Sequence, residues 1–123
     1  MEVRNTVDNT HPIQATCPLC RGPLSETVKT DGDRKLVELK CLVGHCFSPR
    51  ALLEAHSQVE ETVLWSAVVA LEEASILVDA VTSQFTPQIA QRLRDQCLLK
   101  KRQALDIRTI LEHLEPFETE STD

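Results

Sequence analysis

The chain has 123 residues, 41% hydrophobic but only 3% aromatic, with a formal net charge of −6. That length allows one ordinary domain, or a very small one with a helical extension. The acidic balance argues against non-specific nucleic-acid binding and against an anionic membrane surface, both of which reward clustered Lys and Arg; with no run of about 18 apolar residues, no transmembrane helix is predicted.

Residues 1–15 are polar and without period, and they read as a flexible N-terminal arm. Met1 to Thr16 include Glu2, Arg4, Asp8 and His11 and no apolar run, so no secretory signal is expected. The expected location is therefore the cytoplasm, where thiols stay reduced. Residues 16–47 carry Cys17-Pro18-Leu19-Cys20 and Cys41-Leu42-Val43-Gly44-His45-Cys46 on either side of a predicted β-hairpin. Thr27, Val28 and Lys29 can start a strand, and Asp31-Gly32-Asp33 is a turn signal. Val37, Leu39 and Cys41 alternate with Glu38 and Lys40, so they share one face.

These residues have little else to fold around, and a metal ion can replace the missing core. Tight cysteine clusters in a reduced chain point to metal rather than disulfides, and the odd count of 5 cysteines agrees. Zinc takes four ligands tetrahedrally and suits thiolate sulfur. Cys17 and Cys20 supply two and Cys41 a third. Spacing leaves the fourth open between His45 and Cys46, because Gly44 lets the loop turn either one inward. Four protein ligands leave no open position, so Zn2+ is expected to be structural, and its removal is expected to unfold the module.

Ser48-Pro49 then reads as a helix start, with Ser48 as N-cap and Pro49 at a position whose N–H would be unpaired anyway. A helical hairpin is predicted over 48–114, with a first helix at about 49–83, roughly 50 Å long, and a second at about 88–114 after Thr86-Pro87. The short joint makes the helices antiparallel, and Pro116 ends the second. The first helix has one seam of Leu52, His56, Val59, Val63, Ala67, Ala70, Ala74, Leu77 and Val81, and a second stripe of Leu64, Val68, Leu71 and Val78 beside it. The second helix has Ile89, Leu93, Cys97, Ala104, Ile107, Leu111 and Leu114 on one face. A two-helix hairpin needs one seam per helix. The surplus stripe, Leu64, Val68, Leu71 and Val78, is therefore the expected partner-binding surface, and dimerisation through the first helix into a four-helix bundle is one economical cover. Glu115 to Asp123 read as an acidic, frayed tail. The fold class is thus α with a small β part: a zinc-ribbon-like module followed by a long antiparallel two-helix hairpin.

Other chemistry finds little support. His56 reads as a seam residue, His11 and His113 as solvent-facing, and Cys97 as a small hydrophobe. The residues three before His56 and His113 are Leu53 and Ile110, so the Glu-x-x-His pairs of a bundle metal site are missing. There is no Gly-x-Ser-x-Gly, no phosphate-binding glycine loop and only 3 glycines in all. No enzyme is expected.

Cys17-Pro-Leu-Cys20-Arg-Gly-Pro-Leu24, Leu39-Lys-Cys41-Leu-Val-Gly44-His45-Cys-Phe47-Ser48, Leu52-Leu53, Leu64-Trp65-Ser66-Ala67 and Ala70-Leu71-Glu72-Glu73 occur in one order. This pattern resembles the C-terminal extension of some bacterial chemotaxis-type protein-glutamate methylesterases, over about residues 16–114. The resemblance implies a zinc-ribbon unit with a long helical hairpin, His45 as the fourth ligand, and Cys46 as a departure at a usually small position. It implies a bacterial signalling setting but no esterase activity, since receiver and catalytic domains have no counterpart here. The expected function is a zinc-binding protein-interaction or regulatory module whose protein partner the sequence does not name. The alternatives are a nucleic-acid-binding zinc ribbon and a redox-sensitive zinc switch. Residues 16–47 carry Arg21, Lys29, Arg34, Lys35 and Lys40 against Glu26, Asp31, Asp33 and Glu38, a near-neutral balance that disfavours nucleic acid.

Overall fold

A computed structural model describes residues 8–120. Four strands, β1 (Asp8–Thr16), β2 (Pro23–Asp31), β3 (Arg34–Cys41) and β4 (Cys46–Phe47), precede α1 (Pro49–Val81), a single 3₁₀ turn (Thr82–Gln84) and α2 (Pro87–Glu112). The predicted class, a small β part with a helical hairpin, is what the chain adopts. It divides into two compact units, one made of residues up to Gln58 together with the segment from Pro116, the other of Val59–Glu115.

In the first unit the strands form one antiparallel sheet in the order β1-β2-β3-β4. Gly32 turns the β2–β3 hairpin at φ +63°, a conformation that glycine adopts without the clash a Cβ would bring. Asp31 opposes Arg34 across the two-residue loop, and this register carries through to Leu24 opposite Cys41. The alternation read from Val37 to Cys41 holds: Leu39 and Cys41 are buried with Cys17, Leu24 and Phe47, and Val37, Ile13, Leu52 and Ala55 pack on that core. Two of these five core residues are cysteines, so the unit has few apolar side chains to hold it.

Two segments differ from the sequence reading. Residues 8–15, expected as part of a flexible arm, belong to β1, which pairs with β2 from Asp8↔Lys29 to Thr16↔Pro23. Strand pairing uses main-chain groups, and β1 sends only Ile13 to the core, so it leaves no apolar period to read. The part of the arm over 1–7 lies outside the described residues. The tail, expected to fray, is held as far as it is described. The Phe117 amide donates to Ser57 Oγ at 3.1 Å, Arg50 Nη2 donates to the Thr119 carbonyl at 2.9 Å, and Thr119 Oγ1 bonds Glu54 Oε1 at 3.2 Å. The Phe117 ring lies 6.5 Å from that of His56. One main-chain donor, one main-chain acceptor, one hydroxyl and one aromatic ring hold a segment whose composition is otherwise acidic.

The caps follow the sequence signals. Ser48 Oγ accepts from the Ala51 amide at 3.2 Å, and Thr86 Oγ1 accepts from the Ile89 amide at 3.3 Å, each with Pro at the first helical position. In the second unit Val68, Ala90, Cys97 and Ala104 are buried. On α1 Val68 is buried and Leu64, Leu71 and Val78 are half-buried, and on α2 the small Ala90, Cys97 and Ala104 are buried, as expected of the seam of a helical hairpin. The stripe expected to bind a partner is the less accessible of the two on α1: Val68 is 1% exposed, and Leu64, Leu71 and Val78 are half-buried. The adjacent seam is the one left open, with Val63 46%, Leu77 64% and Val81 45% exposed. Arg108 Nε and Nη2 both donate to Glu72 Oε1, at 3.0 and 2.7 Å, with the guanidinium 5.3 Å from the Trp65 ring. An exposed pair of this kind contributes about 0–1 kcal/mol, so the apolar seam rather than the ion pair holds the helices together.

Candidate metal centre

Two knuckles build the centre. The first begins at Cys17, whose carbonyl accepts from the Arg21 amide at 2.8 Å while its own amide donates to the Gly22 carbonyl at 2.7 Å. Arg21 takes a left-handed φ of 66° to close this turn. A Cβ at Gly22 would stand 3.3 Å from Cys20 Sγ, so any larger residue there presses on the sulfur. The second knuckle begins where β3 ends. The Gly44 amide donates to the Cys41 carbonyl at 3.1 Å, and the Cys41 amide to the His45 carbonyl at 3.0 Å. Gly44 makes this reversal at φ +102°, a backbone region that L side chains rarely adopt.

These turns bring Cys17, Cys20, Cys41 and His45 together, with their ligand atoms all within 4.8 Å of one another. His45 Nδ1 lies 3.3 Å from Cys41 Sγ and 3.7 Å from Cys17 Sγ, and Cys20 Sγ lies 3.7 Å from Cys41 Sγ. A tetrahedral ion with metal–sulfur bonds of about 2.3 Å and a metal–nitrogen bond of about 2.0 Å spaces its ligands by roughly 3.5–3.8 Å. Of these three separations two fall on those edges and the third, at 3.3 Å, is slightly shorter, and the sulfur–sulfur distance is far from the ~2.05 Å of a disulfide. The four side chains can hold a metal ion.

Main-chain donors complete the surroundings. The His45 amide donates to Cys41 Sγ at 3.2 Å and the Gly22 amide to Cys20 Sγ at 3.4 Å. Such outer contacts offset thiolate charge and aim the sulfurs. They also set the acidities. Desolvation pushes the Cys41 thiol up. The amides of His45 and Val43, then the Cys20 thiol and the His45 ring, outweigh it and hold the pKa down at about 6. At Cys20 the Gly22 amide lowers the pKa, but desolvation and the thiols of Cys41 and Cys17 outweigh it and leave that thiol raised. One thiolate is thus favoured at Cys41, with Cys20 as its donor.

A pH dependence follows. Protons and metal compete for the same thiolates, so affinity falls as pH falls. Cys41 enters that competition only below about pH 6, whereas the Cys20 proton must already be displaced at neutral pH. The plot of log affinity against pH is expected to steepen by at least one unit of slope below pH 6, measured by competition with a chromophoric chelator; an unchanged slope through that range contradicts this order of deprotonation.

Among the described residues, His11, His56, His113, Cys46 and Cys97 stand outside this group of four. Cys46 sits on β4 opposite Lys40, exposed, while its neighbour Phe47 opposes Leu39 and is buried. Desolvation and the Glu38 carboxylate push its thiol up, unlike the exposed, acidic thiol that a redox sensor needs. The amide donors escaped the sequence reading, although Gly22 directly after the first knuckle was a visible sign of close approach to sulfur. Compared with known proteins, the chain matches no protein family, no curated protein and no solved structure. No helix among the described residues is long and apolar enough to cross a membrane.

Proposed function

We propose that this chain is a non-enzymatic module, stabilised by a structural zinc ion, that presents its helical hairpin to a protein partner in a bacterial cytoplasmic signalling setting. The observation that carries this reading is the convergence of three cysteines and one histidine on a single point. Three thiolates and an imidazole are a soft donor set that suits zinc. Four protein ligands occupy the whole tetrahedron, so the ion has no place for substrate or reactive water and its role is structural. The signalling setting rests on the resemblance of the knuckles and the Leu64-Trp65-Ser66-Ala67 and Ala70-Leu71-Glu72-Glu73 runs to the methylesterase extension. The interaction role rests on the exposed apolar side chains of the hairpin, Val63, Leu77 and Ile110 among them.

Purification of the intact protein from its own cells, with elemental analysis of the same sample, tests both halves. The reading expects about one zinc per chain and a protein held on the hairpin. A folded, reduced protein free of metal overturns it.

A further inference from the structure

The two flanks of the helical hairpin differ. On one flank α1 places Glu61, Glu72 and Asp79 next to the seam, and α2 places Arg94, Lys101 and Arg108 there. The Glu72–Arg108 bond and the groove shared by Ser75, Asp79, Arg94 and Lys101 lie on this side. Charge closes it, as polar residues beside an apolar seam close a coiled coil.

The other flank carries fewer charges beside the seam, Glu60 on α1 and Lys100 on α2. The helical repeat puts Val63, Ala70, Leu77 and Val81 of α1 and Ile89 and Ile110 of α2 there. All six are exposed, Leu77 at 64% and Ile110 at 52%. The half-buried Ala67, Ala74 and Ile107 lie between these residues and the seam, so on α1 the apolar surface runs outward from the core without a break, while on α2 Gln96, Lys100 and Gln103 interrupt it. A helix with apolar residues on both its inner and its lateral face is normally enclosed on both.

We propose that a second copy of this chain covers this flank, giving a four-helix bundle in which α1 of each copy lies on α2 of the other. This rests on the reading of the hairpin as an interaction surface and names the partner. Charge selects the occupant. Between residues 59 and 81, α1 carries Glu60, Glu61, Glu72, Glu73 and Asp79 and no Lys or Arg, whereas α2 carries Arg92, Arg94, Lys100, Lys101, Arg102 and Arg108 against Asp95, Asp106 and Glu112. An acidic helix beside a basic helix is complementary to its own copy turned by a two-fold axis, which is the condition for an isologous dimer. Glu60 and Glu73 border the open flank on α1, and Arg92 and Lys100 border it on α2. Ala67, Ala70 and Ala74 keep the α1 surface low enough for close approach.

The test is sedimentation equilibrium of the full-length, metal-loaded protein beside two variants of equal exposure. Leu77 on the open flank is 64% exposed and Leu98 on the charged flank 66%, so Leu77→Lys and Leu98→Lys cost the isolated hairpin about the same. The wild-type protein and Leu98→Lys are expected to sediment at twice the 13.8 kDa chain mass. Leu77→Lys is expected to weaken the dimer by at least tenfold while keeping its helical circular dichroism. A wild-type monomer at 100 µM, or a dimer lost in Leu98→Lys but kept in Leu77→Lys, overturns the proposal. Metal content measured on the same samples separates this failure from that of the zinc reading: a monomer that keeps its zinc sinks the dimer alone.

Discussion

Chelation of the metal under reducing conditions is expected to unfold the sheet of β1–β4 and to leave the helices of 59–115 in place. The reason is the balance of terms in the first unit. Its core has three large apolar side chains, Leu24, Leu39 and Phe47, besides Cys17 and Cys41. Each fully buried Leu or Phe contributes about 1.5–3 kcal/mol, and the strands they must hold include a β1 that sends only Ile13 inward. A structural zinc in a small module contributes about 10–16 kcal/mol of apparent binding free energy at neutral pH, more than any of those side chains. The hairpin has its own seam and no ligand of the metal group, so it has no cause to melt with the sheet. Amide exchange with and without chelator distinguishes the two: protection is expected to vanish across β2 and β3 and to persist around Val68 and Cys97. A sheet that stays protected without metal would show that side-chain packing is sufficient.

The second large effect separates two neighbouring cysteines. Cys41→Ser is expected to lower metal affinity more than about a hundredfold, beyond the 10–100-fold typical of losing an outer contact, because it removes a ligand and the acceptor of the His45 amide. Cys46→Ser is expected to leave affinity unchanged. The geometry behind this is the two-residue strand β4. Pairing of Cys46 with Lys40 and of Phe47 with Leu39 sends Phe47 into the core and Cys46 outward, while the turn at Gly44 aims His45 at the sulfurs. Competition titration of the two variants decides it, and equal losses would make Cys46 a ligand.

What could be read from the sequence was local. The caps at Ser48 and Thr86, the turn at Gly32 and the cysteine knuckles each depend on a few consecutive residues, and each stands where its signal put it. What could not be read depends on pairings between distant segments. Spacing alone left His45 and Cys46 as equal fourth ligands; the choice turns on the register of β4 against β3. The strand over 8–16 was hidden because it pairs through its backbone and sends one side chain inward. The two stripes of α1 are offset by one residue; the sequence reading takes Leu64, Val68, Leu71 and Val78 as the surplus one, and periodicity offers no means to test that order. Burial distinguishes them: Leu64, Val68, Leu71 and Val78 are buried or half-buried, whereas Val63, Leu77 and Val81 are exposed.

X-ray absorption at the metal edge of the native, reduced protein measures the ligand shell itself. Three sulfurs at about 2.3 Å and one nitrogen at about 2.0 Å around a single zinc per chain are the expected result. A shell of four sulfurs, a shell dominated by oxygen, or a well-folded protein with no metal to measure would contradict the centre formed by Cys17, Cys20, Cys41 and His45.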